Sequence, residues 1–478
     1  MKGYVDRRVF LKGLGAASMA ATASPLLLAR NAGPNVLFIA IDDLNDWIGC
    51  LGGHPDVRTL HLDRLAAGGV LFSNAHCPAP LCNPSRAALM TGVRPSTSGV
   101  YENEQDWRES RALKQAVTIP MYFRSHGYRT FTSGKIFHNS FPHAQSWDEC
   151  WPSASNPVPR GPKSPAKPFN GIPNAAHFDW GPLDVRPEEM GDWQVADWTV
   201  QQLQKKHDKP FFLACGFSKP HLPWYVPRCY FDLYPLDRIT LPTVKEDDLD
   251  DVPPIGQKIA RPDGDHANVL RYGQWRKAVQ GYLAAITFVD DCVGRVLDGF
   301  EKSEYRNNTV LVLWSDHGWH LGEKLHWRKF SLWEEATRNI LTFYAPGMLP
   351  AGKRCTRPVN LQDMYPTLVS LCGLPARQLE AYDLTPLLKQ SDAEWKDPTL
   401  TTFRRNNHSV RSEDWRYIRY SDGTEELYDH RSDPMEWTNI AGKAEFRSKC
   451  EELAKWLPKN NAAPDPAPER GSRTTDDD

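Results

Sequence analysis

The sequence predicts an α/β fold: a large, mostly parallel sheet flanked by helices, with a small antiparallel unit after it. Three observations carry this reading. Continuous apolar runs rich in β-branched residues recur at wide intervals along the 478-residue chain. Segments with helical periodicity lie between them. Near Trp415 the pattern changes to short alternating stretches.

Asn35 to Ile41 (NVLFIAI) is apolar after its first residue, so it reads as a strand buried on both faces, and Asp42 and Asp43 follow at its C-terminal end. Helical patterns begin near Ser85 and Val117, and another spans roughly Trp193 to Lys206. Pro210 to Gly216 reads as a second buried strand. Val279, Tyr282, Leu283, Ile286, Val289, Val293, Val296 and Phe300 recur at three-to-four spacing, the stripe of an amphipathic helix. Thr309 to Trp314 reads as a third strand, followed by Ser315, Asp316 and His317. In such sheets ligands sit at the C-terminal ends of the strands, and here two of those ends are acidic.

Asn139 to Pro182, rich in Pro, Ser and Asn, and the acidic stretch Leu241 to Asp265 read as long loops. Trp415 to Tyr420 alternates, Asp422-Gly423 signals a hairpin turn, and Glu425 to Asp429 completes the hairpin. A helix from about Ala444 to Leu457 closes this unit. The expected domains are 33–395 for the large α/β part and 396–460 for the small unit. A polar tail over 461–478 is expected to be disordered.

Residues 1–30 read as a signal peptide with a net charge of +4, which leaves −6 on the rest of a chain whose formal charge is −2. Arg7-Arg8-Val9-Phe10-Leu11-Lys12 resembles the twin-arginine export motif, and the weakly apolar run Gly13 to Ala23 is too short to span a membrane. The expected destination is the periplasm or the exterior, with the twin-arginine translocase as a partner and no membrane anchor. A mildly acidic mature chain excludes sequence-independent nucleic-acid binding. Ten Cys without a Cys-x-x-Cys pair exclude a disulfide scaffold. The 17 Trp could stack on sugars or fill the core.

Adjacent carboxylates such as Asp42 and Asp43 repel unless a cation or solvent relieves them, and oxygen ligands favour Ca²⁺ or Mg²⁺. Asp316-His317 repeats the arrangement at another strand end. Cys82-Asn-Pro-Ser-Arg86 opens a helix, with Pro84 in its first turn. Unpaired N–H groups there favour an anion. On its own, Cys82 could be a reactive thiolate or a structural cysteine.

The run Cys82-Asn-Pro-Ser-Arg-Ala-Ala-Leu-Met-Thr-Gly-Val-Arg94 resembles the signature of the formylglycine-dependent sulfatases, with Met90 where Leu is common. Further matches are Ser133-Gly-Lys135-Ile-Phe-His138, Lys219-Pro-His221, Asp316-His-Gly-Trp-His-Leu-Gly-Glu323, Lys329, and Leu427-Tyr-Asp429 with Asp433-Pro434. The stretch from Asp316 to Lys329 is most similar to the iduronate-2-sulfatase branch. The resemblance implies an alkaline-phosphatase-like sulfatase fold, Ca²⁺ held by Asp42, Asp43, residue 82, Asp316 and His317, and Cys82 oxidised to formylglycine by a formylglycine-generating enzyme. It implies that a hydrated residue 82, assisted by Asp316, attacks sulfur. His221 protonates the leaving alcohol, Lys329 binds sulfate, and His138 takes the proton that releases sulfate. Arg86 and Lys135 balance charge.

His320 and His326 have no role in that pattern and read as structural. Pairing of Cys77 with Cys82 would consume the nucleophile precursor and is rejected. An exported sulfatase would act on sulfated carbohydrate. Asp106, Trp107 and Arg108, after the signature helix, and His408 are candidates to line its pocket, although a solvated loop explains them equally well. The alternatives are a phosphodiesterase or phosphonate monoester hydrolase using the same nucleophile, and a non-catalytic sugar-binding relative.

Overall fold

The computed structural model describes residues 33–164 and 167–466, so the export motif at Arg7-Arg8 lies outside the described residues. Strand β1 (Asn35–Asp42) is buried at every position, as its unbroken apolar run requires. The other strands of its sheet, in chain order, are β2 (Val70–His76), β3 (Arg129–Gly134), β4 (Glu149–Trp151), β5 (Phe211–Pro220), β6 (Thr309–Ser315), β7 (Arg338–Tyr344), β8 (Lys353–Cys355) and β9 (Val359–Asn360). Their spatial order is β8-β2-β7-β6-β1-β5-β3-β4, with β9 also paired to β2. Strand β7 alone runs antiparallel to its neighbours β6 and β2. The mostly parallel sheet is therefore as predicted, with β1, β5 and β6 at its centre.

Two helical layers cover the sheet. Alternate residues of β1 point to opposite faces. Leu37, Ile39 and Ile41 join a core with α1 (Leu60–Gly68), α4 (Gly191–Gln204) and α5 (Trp275–Glu301). Val36, Phe38 and Ala40 join another with α2 (Cys82–Thr91), α3 (Ile119–Ser125) and α6 (Met364–Leu371). Helix α5 carries the predicted three-to-four stripe, from Val279 to Phe300, on its buried face.

Two expected loops hold more structure than their composition suggested. Within 139–182 lies β4, which extends the sheet by pairing with β3, and Trp180–Leu183 pairs with Trp224–Pro227. Within 241–265 lies a short helix, Pro254–Ala260. Long-range pairing stabilises these segments, and local composition does not report it.

The C-terminal sheet is antiparallel, in the order β10 (Thr399–Thr402), β11 (His408–Arg411), β12 (Trp415–Arg419) and β13 (Glu425–Asp429). The predicted turn joins β12 to β13, with Gly423 at φ 87°. Helix α7 (Arg447–Ala454) is shorter than expected, with a 3-10 turn, Ala444–Phe446, before it. Ile418 and Tyr428 of this sheet pack against Leu332 and Trp333 of the loop after β6.

The expected disordered tail needs correction at its start. Residues 461–466 are docked: the Ala462 N–H donates to Ser96 O (2.7 Å) and the Asp465 N–H to Gly99 O (3.0 Å). All ten cysteines are free thiols. Among the described residues no helix is long and apolar enough to cross a membrane.

Candidate active site

The C-terminal ends of β1 and β6 and the N-terminus of α2 meet in one buried pocket. Asp42 is the last residue of β1, and Asp43 follows with φ 59°. That left-handed conformation costs on the order of 1 kcal/mol for a non-glycine residue, so its surroundings must hold it. The Asp43 N–H donates to Asp316 Oδ1 (3.1 Å), and its carbonyl accepts the hydroxyl of Tyr282 on α5 (2.8 Å). Ser85 Oγ donates to the Asp316 carbonyl (2.7 Å), which ties α2 to the end of β6.

Arg86 is fully buried and frames the pocket. Its Nε donates to Asp316 Oδ2 (2.9 Å), one terminal nitrogen donates to Asp42 Oδ1 (2.9 Å), and the other reaches the carbonyls of Lys135 (2.7 Å) and Ile136 (3.0 Å). Lys135 Nζ lies 2.7 Å from Asp42 Oδ2. Burial alone would raise the Asp42 pKa, but Lys135 and Arg86 outweigh it and hold the carboxyl well below its usual range. Asp43 is likewise held down against its burial, chiefly by Lys329 and His221.

Cys82 Sγ lies among these charges. It is 2.9 Å from Lys329 Nζ, 3.3 Å from His317 Nε2, 3.9 Å from Asp43 Oδ1 and 4.0 Å from Lys135 Nζ. Burial pushes its thiol pKa well up, so an unmodified Cys82 is a poor thiolate nucleophile. Cys77 is turned away, with its Sγ 3.8 Å from the Ala336 carbonyl.

Lys329 also meets Asp43 Oδ1 (3.1 Å). It lies on a loop with four non-glycine residues at positive φ: Lys324, Leu325, Arg328 and Phe330. His320 and His326, expected to be structural, support this loop. His320 Nε2 meets Ser331 Oγ (2.8 Å), and His326 Nε2 meets the Lys329 carbonyl (2.5 Å).

Two imidazoles face the pocket through Nε2. His317 directs Nδ1 to the Gly318 carbonyl (3.0 Å), and His221 directs Nδ1 to the Leu222 carbonyl (2.6 Å). Each bond favours a proton on Nδ1 and leaves Nε2 to the pocket. Burial lowers the pKa of both rings. His221 Nε2 lies 3.8 Å from Asp43 Oδ2.

His221 is held by Lys219, which stands in its own motif, and by Asp192, which stands in none. Asp192 of α4 accepts the N–H groups of Ser218 (2.9 Å) and Lys219 (2.8 Å), and Lys219 Nζ donates to the carbonyls of His221 and Pro223. Asp192 stands in no motif and Tyr282 reads only as part of the α5 stripe, because each reaches the site from a distant helix. His138 is buried on the loop after β3, its ring 5.8 Å from that of Phe141.

The substrate candidates divide. Asp106 and Arg108 form a half-buried ion pair (2.6 Å). Trp107 is a correction: it is 2% exposed, its ring stacks on Phe137 at 5.2 Å, and it presents no face to a sugar. His408 is also buried, in β11, with Nδ1 against Thr402 Oγ1 (3.0 Å). Burial holds its pKa at about 4.

Ligand atoms of Asp43, Cys82, Asp316 and His317 lie within 4.8 Å of one another. Asp43 Oδ2 is buried without a hydrogen-bond partner. An orphaned carboxylate oxygen beside two further carboxylates and an imidazole fits a hard divalent cation. A cavity of about 660 Å³, lined by Asp46, His54, Glu335, Arg338 and Arg411 among others, contains none of these residues.

The family model described as Sulfatase matches residues 34–374, and the model for the C-terminal part of N-sulphoglucosamine sulphohydrolase matches 322–463. A protein described as a sulfatase from Formosa agariphila is 43% identical over 445 residues, covering 90% of this chain and 87% of that one. Iduronate 2-sulfatase of Mus musculus is 33% identical, covering 71% of this chain and 69% of its own length. Among solved structures, a protein in complex with its substrate D-glucosamine-2-N,6-O-disulfate superimposes with a TM-score of 0.70 at 22% identity, over 88% of this chain and 96% of that one. The phosphonate monoester hydrolase of Agrobacterium radiobacter does so with a TM-score of 0.71 at 23% identity, over 88% and 94%. The first match takes in the whole pocket from Asp42 to Lys329, so the chain belongs to the sulfatase family and is a sulfuric ester hydrolase.

Proposed function

We propose that the protein hydrolyses a sulfate ester of a sulfated sugar, with residue 82, oxidised from cysteine to formylglycine, as nucleophile beside a bound Ca²⁺. The observation that carries this is the position of Cys82, at a helix N-terminus within 4.0 Å of Lys329, His317, Asp43 and Lys135. Asp42, Asp43, Asp316 and His317 would hold the cation, which when bound supplies Lewis acidity and lowers the pKa of a hydroxyl on residue 82. The hydrated aldehyde supplies two hydroxyls, one to attack and one to expel the product.

Asp316 receives the proton of the attacking hydroxyl, and Arg86 fixes its carboxylate for that task. Three carboxylates (Asp42, Asp43, Asp316) face three fixed cations (Arg86, Lys135, Lys329) in the pocket. A divalent cation would therefore leave the site net positive and attractive to an anionic sulfate ester. Lys329 and Lys135 place charge where the sulfate oxygens gather. His221 donates from its imidazolium form, which Asp43, 3.8 Å from Nε2, favours against burial: one proton stays on Nδ1 for the Leu222 carbonyl, and the proton on Nε2 passes to the leaving alcohol. His138 takes the proton of the second hydroxyl as the carbon–oxygen bond to sulfate breaks, restoring the aldehyde.

The sugar assignment draws on the relatives: an ulvan-active sulfatase of Formosa agariphila is 27% identical over 446 residues. Asp106 and Arg108 remain candidates to touch the sugar. Oxidation by a formylglycine-generating enzyme precedes export of the folded chain by the twin-arginine translocase, towards the periplasm or beyond.

Turnover of an aryl sulfate, an aryl phosphonate, a phosphate diester and defined sulfated oligosaccharides tests the proposal. Sulfate esters are expected to be the preferred substrates, and a preference for phosphonate would overturn it. Chelation is expected to lower the thermal midpoint, and added Ca²⁺ to restore it.

A further inference from the structure

Residues 461–466 run between the C-terminal sheet and the loop that follows the signature helix. On the sheet side, Arg405 donates to the Asn461 carbonyl (3.2 Å). On the loop side, the bonds from Ala462 and Asp465 to Ser96 and Gly99 are joined by one from Tyr101 Oη to the Ala462 carbonyl (3.0 Å). Gly99 has φ 78°, and a Cβ there would stand 2.5 Å from the Ala463 carbonyl oxygen. Backbone conformation and close approach therefore both require glycine at the crossing.

Beneath the crossing lies Gln105, only 2% exposed. Its Oε1 accepts the N–H groups of Tyr101 (2.6 Å) and Glu102 (2.8 Å). Its Nε2 donates to the carbonyls of Gly99 (3.0 Å) and Asp465 (2.6 Å). Its own carbonyl accepts Asn83 Nδ2 (2.7 Å). Asn83 is fully buried beside Cys82, and its N–H donates to Asn103 Oδ1 (3.0 Å). Helix α2 has no side-chain cap from its N-cap residue, Leu81. The bonds of Asn83 therefore fix a first turn that would otherwise leave orphan N–H groups. A continuous chain of hydrogen bonds leads from the strap through Gln105 to Asn83, the covalent neighbour of residue 82.

We infer that Gln105 is a positioning residue for the nucleophile and that residues 461–466 are the strap that holds it in register. The inference rests on residue 82 being the nucleophile. Its physical basis is that a shift of about 1 Å at a reacting group costs on the order of 10²-fold in rate, while a six-residue strap contributes little to the large core.

The test compares Gln105→Ala, Ala462→Pro (which removes the N–H that bonds Ser96), a chain ending after Asn460, and the double change of Gln105→Ala in the shortened chain. The readouts are kcat and KM on a small aryl sulfate, normalised to the converted fraction of residue 82, and hydrogen exchange of the 83–105 segment. The expected result is a ~10- to 100-fold fall in kcat at unchanged KM, with faster exchange in that segment. The losses from Gln105→Ala and from truncation should overlap in the double variant rather than multiply. Unchanged kcat at equal conversion, multiplicative losses, or faster exchange confined to the strap would each overturn the inference. If the shortened chain does not fold, Ala462→Pro takes its place in the double variant. A wild-type protein without the aldehyde and without sulfatase turnover would instead overturn the reading of residue 82, and exchange would still report on the strap.

Discussion

Two clusters of buried charge lie close together in this protein and are built to opposite ends. Beneath the C-terminal sheet, Arg416 is fully buried, with every nitrogen engaged. It donates to Glu334 and Glu436, to the Leu332 carbonyl (3.0 Å), to Ser409 Oγ (2.6 Å) and to Thr337 Oγ1 (3.0 Å). His430 completes it on Glu436 (2.9 Å). Around Cys82, Arg86 is saturated in the same way, but Asp43 Oδ2 is left without a hydrogen-bond partner. Saturated charges lock one geometry in place. A buried oxygen left open beside two other carboxylates is a place kept for something else.

Changing each cluster should therefore produce different losses. Cys82→Ala is expected to abolish turnover while moving the unfolding midpoint little, since the surrounding ion pairs remain. Activity and urea-denaturation assays on one preparation check both halves. His221→Ala comes next: kcat should fall ~10²- to 10⁴-fold on sugar sulfates, whose alcohols leave poorly without a proton. The loss should be much smaller on an aryl sulfate with an acidic phenol. Equal losses on both would remove His221 as the proton donor.

Glu436→Ala should leave Arg416 a buried, half-paired charge and cost about 3–5 kcal/mol of stability, read from urea unfolding, with little change in kcat of the folded fraction. Glu334 and Glu436 are held below their usual range because their cations outweigh burial. Their contribution is thus present above the unfolded carboxylate value and is lost as pH falls through the folded one. A fourth change has the opposite sign. Asp290 accepts the N–H groups of His61 and Leu62 at the start of α1, and burial pushes its pKa up to about 7. Its stabilisation is full below the unfolded value of about 4 and is lost as pH rises through 7. Asp290→Asn should flatten this decline in the unfolding midpoint between about pH 4 and 7.

The two clusters also differ in how far the sequence announced them. Asp42, Asp43, Asp316 and His317 were legible because each pair ends an unbroken apolar strand, and Cys82 because a dense local motif surrounds it. Arg416, Glu334 and Glu436 carried no signal. They are ordinary charged residues whose burial follows from packing between segments about 80 residues apart. Strands β2 and β3 escaped for a related reason: Ser73, Asn74, Thr130, Thr132 and Ser133 interrupt their apolar runs, and the sheet accepts them because neighbouring strands and loops cover them. Trp107 misled in the other direction. A tryptophan beside two charged residues suggests a sugar platform, and here the ring stacks on Phe137, in the segment that carries His138.

Residue 82 is proposed to work as an aldehyde and not as a thiol. Mass spectrometry of the peptide spanning residues 65–86, from protein purified out of its native host, tests it most directly. The expected mass is the one in which an aldehyde replaces the CH₂–SH group, with that peptide trapped by a hydrazide probe and the trapping abolishing sulfate-ester turnover. An unmodified Cys82 thiol in a preparation that still hydrolyses sulfate esters would contradict it.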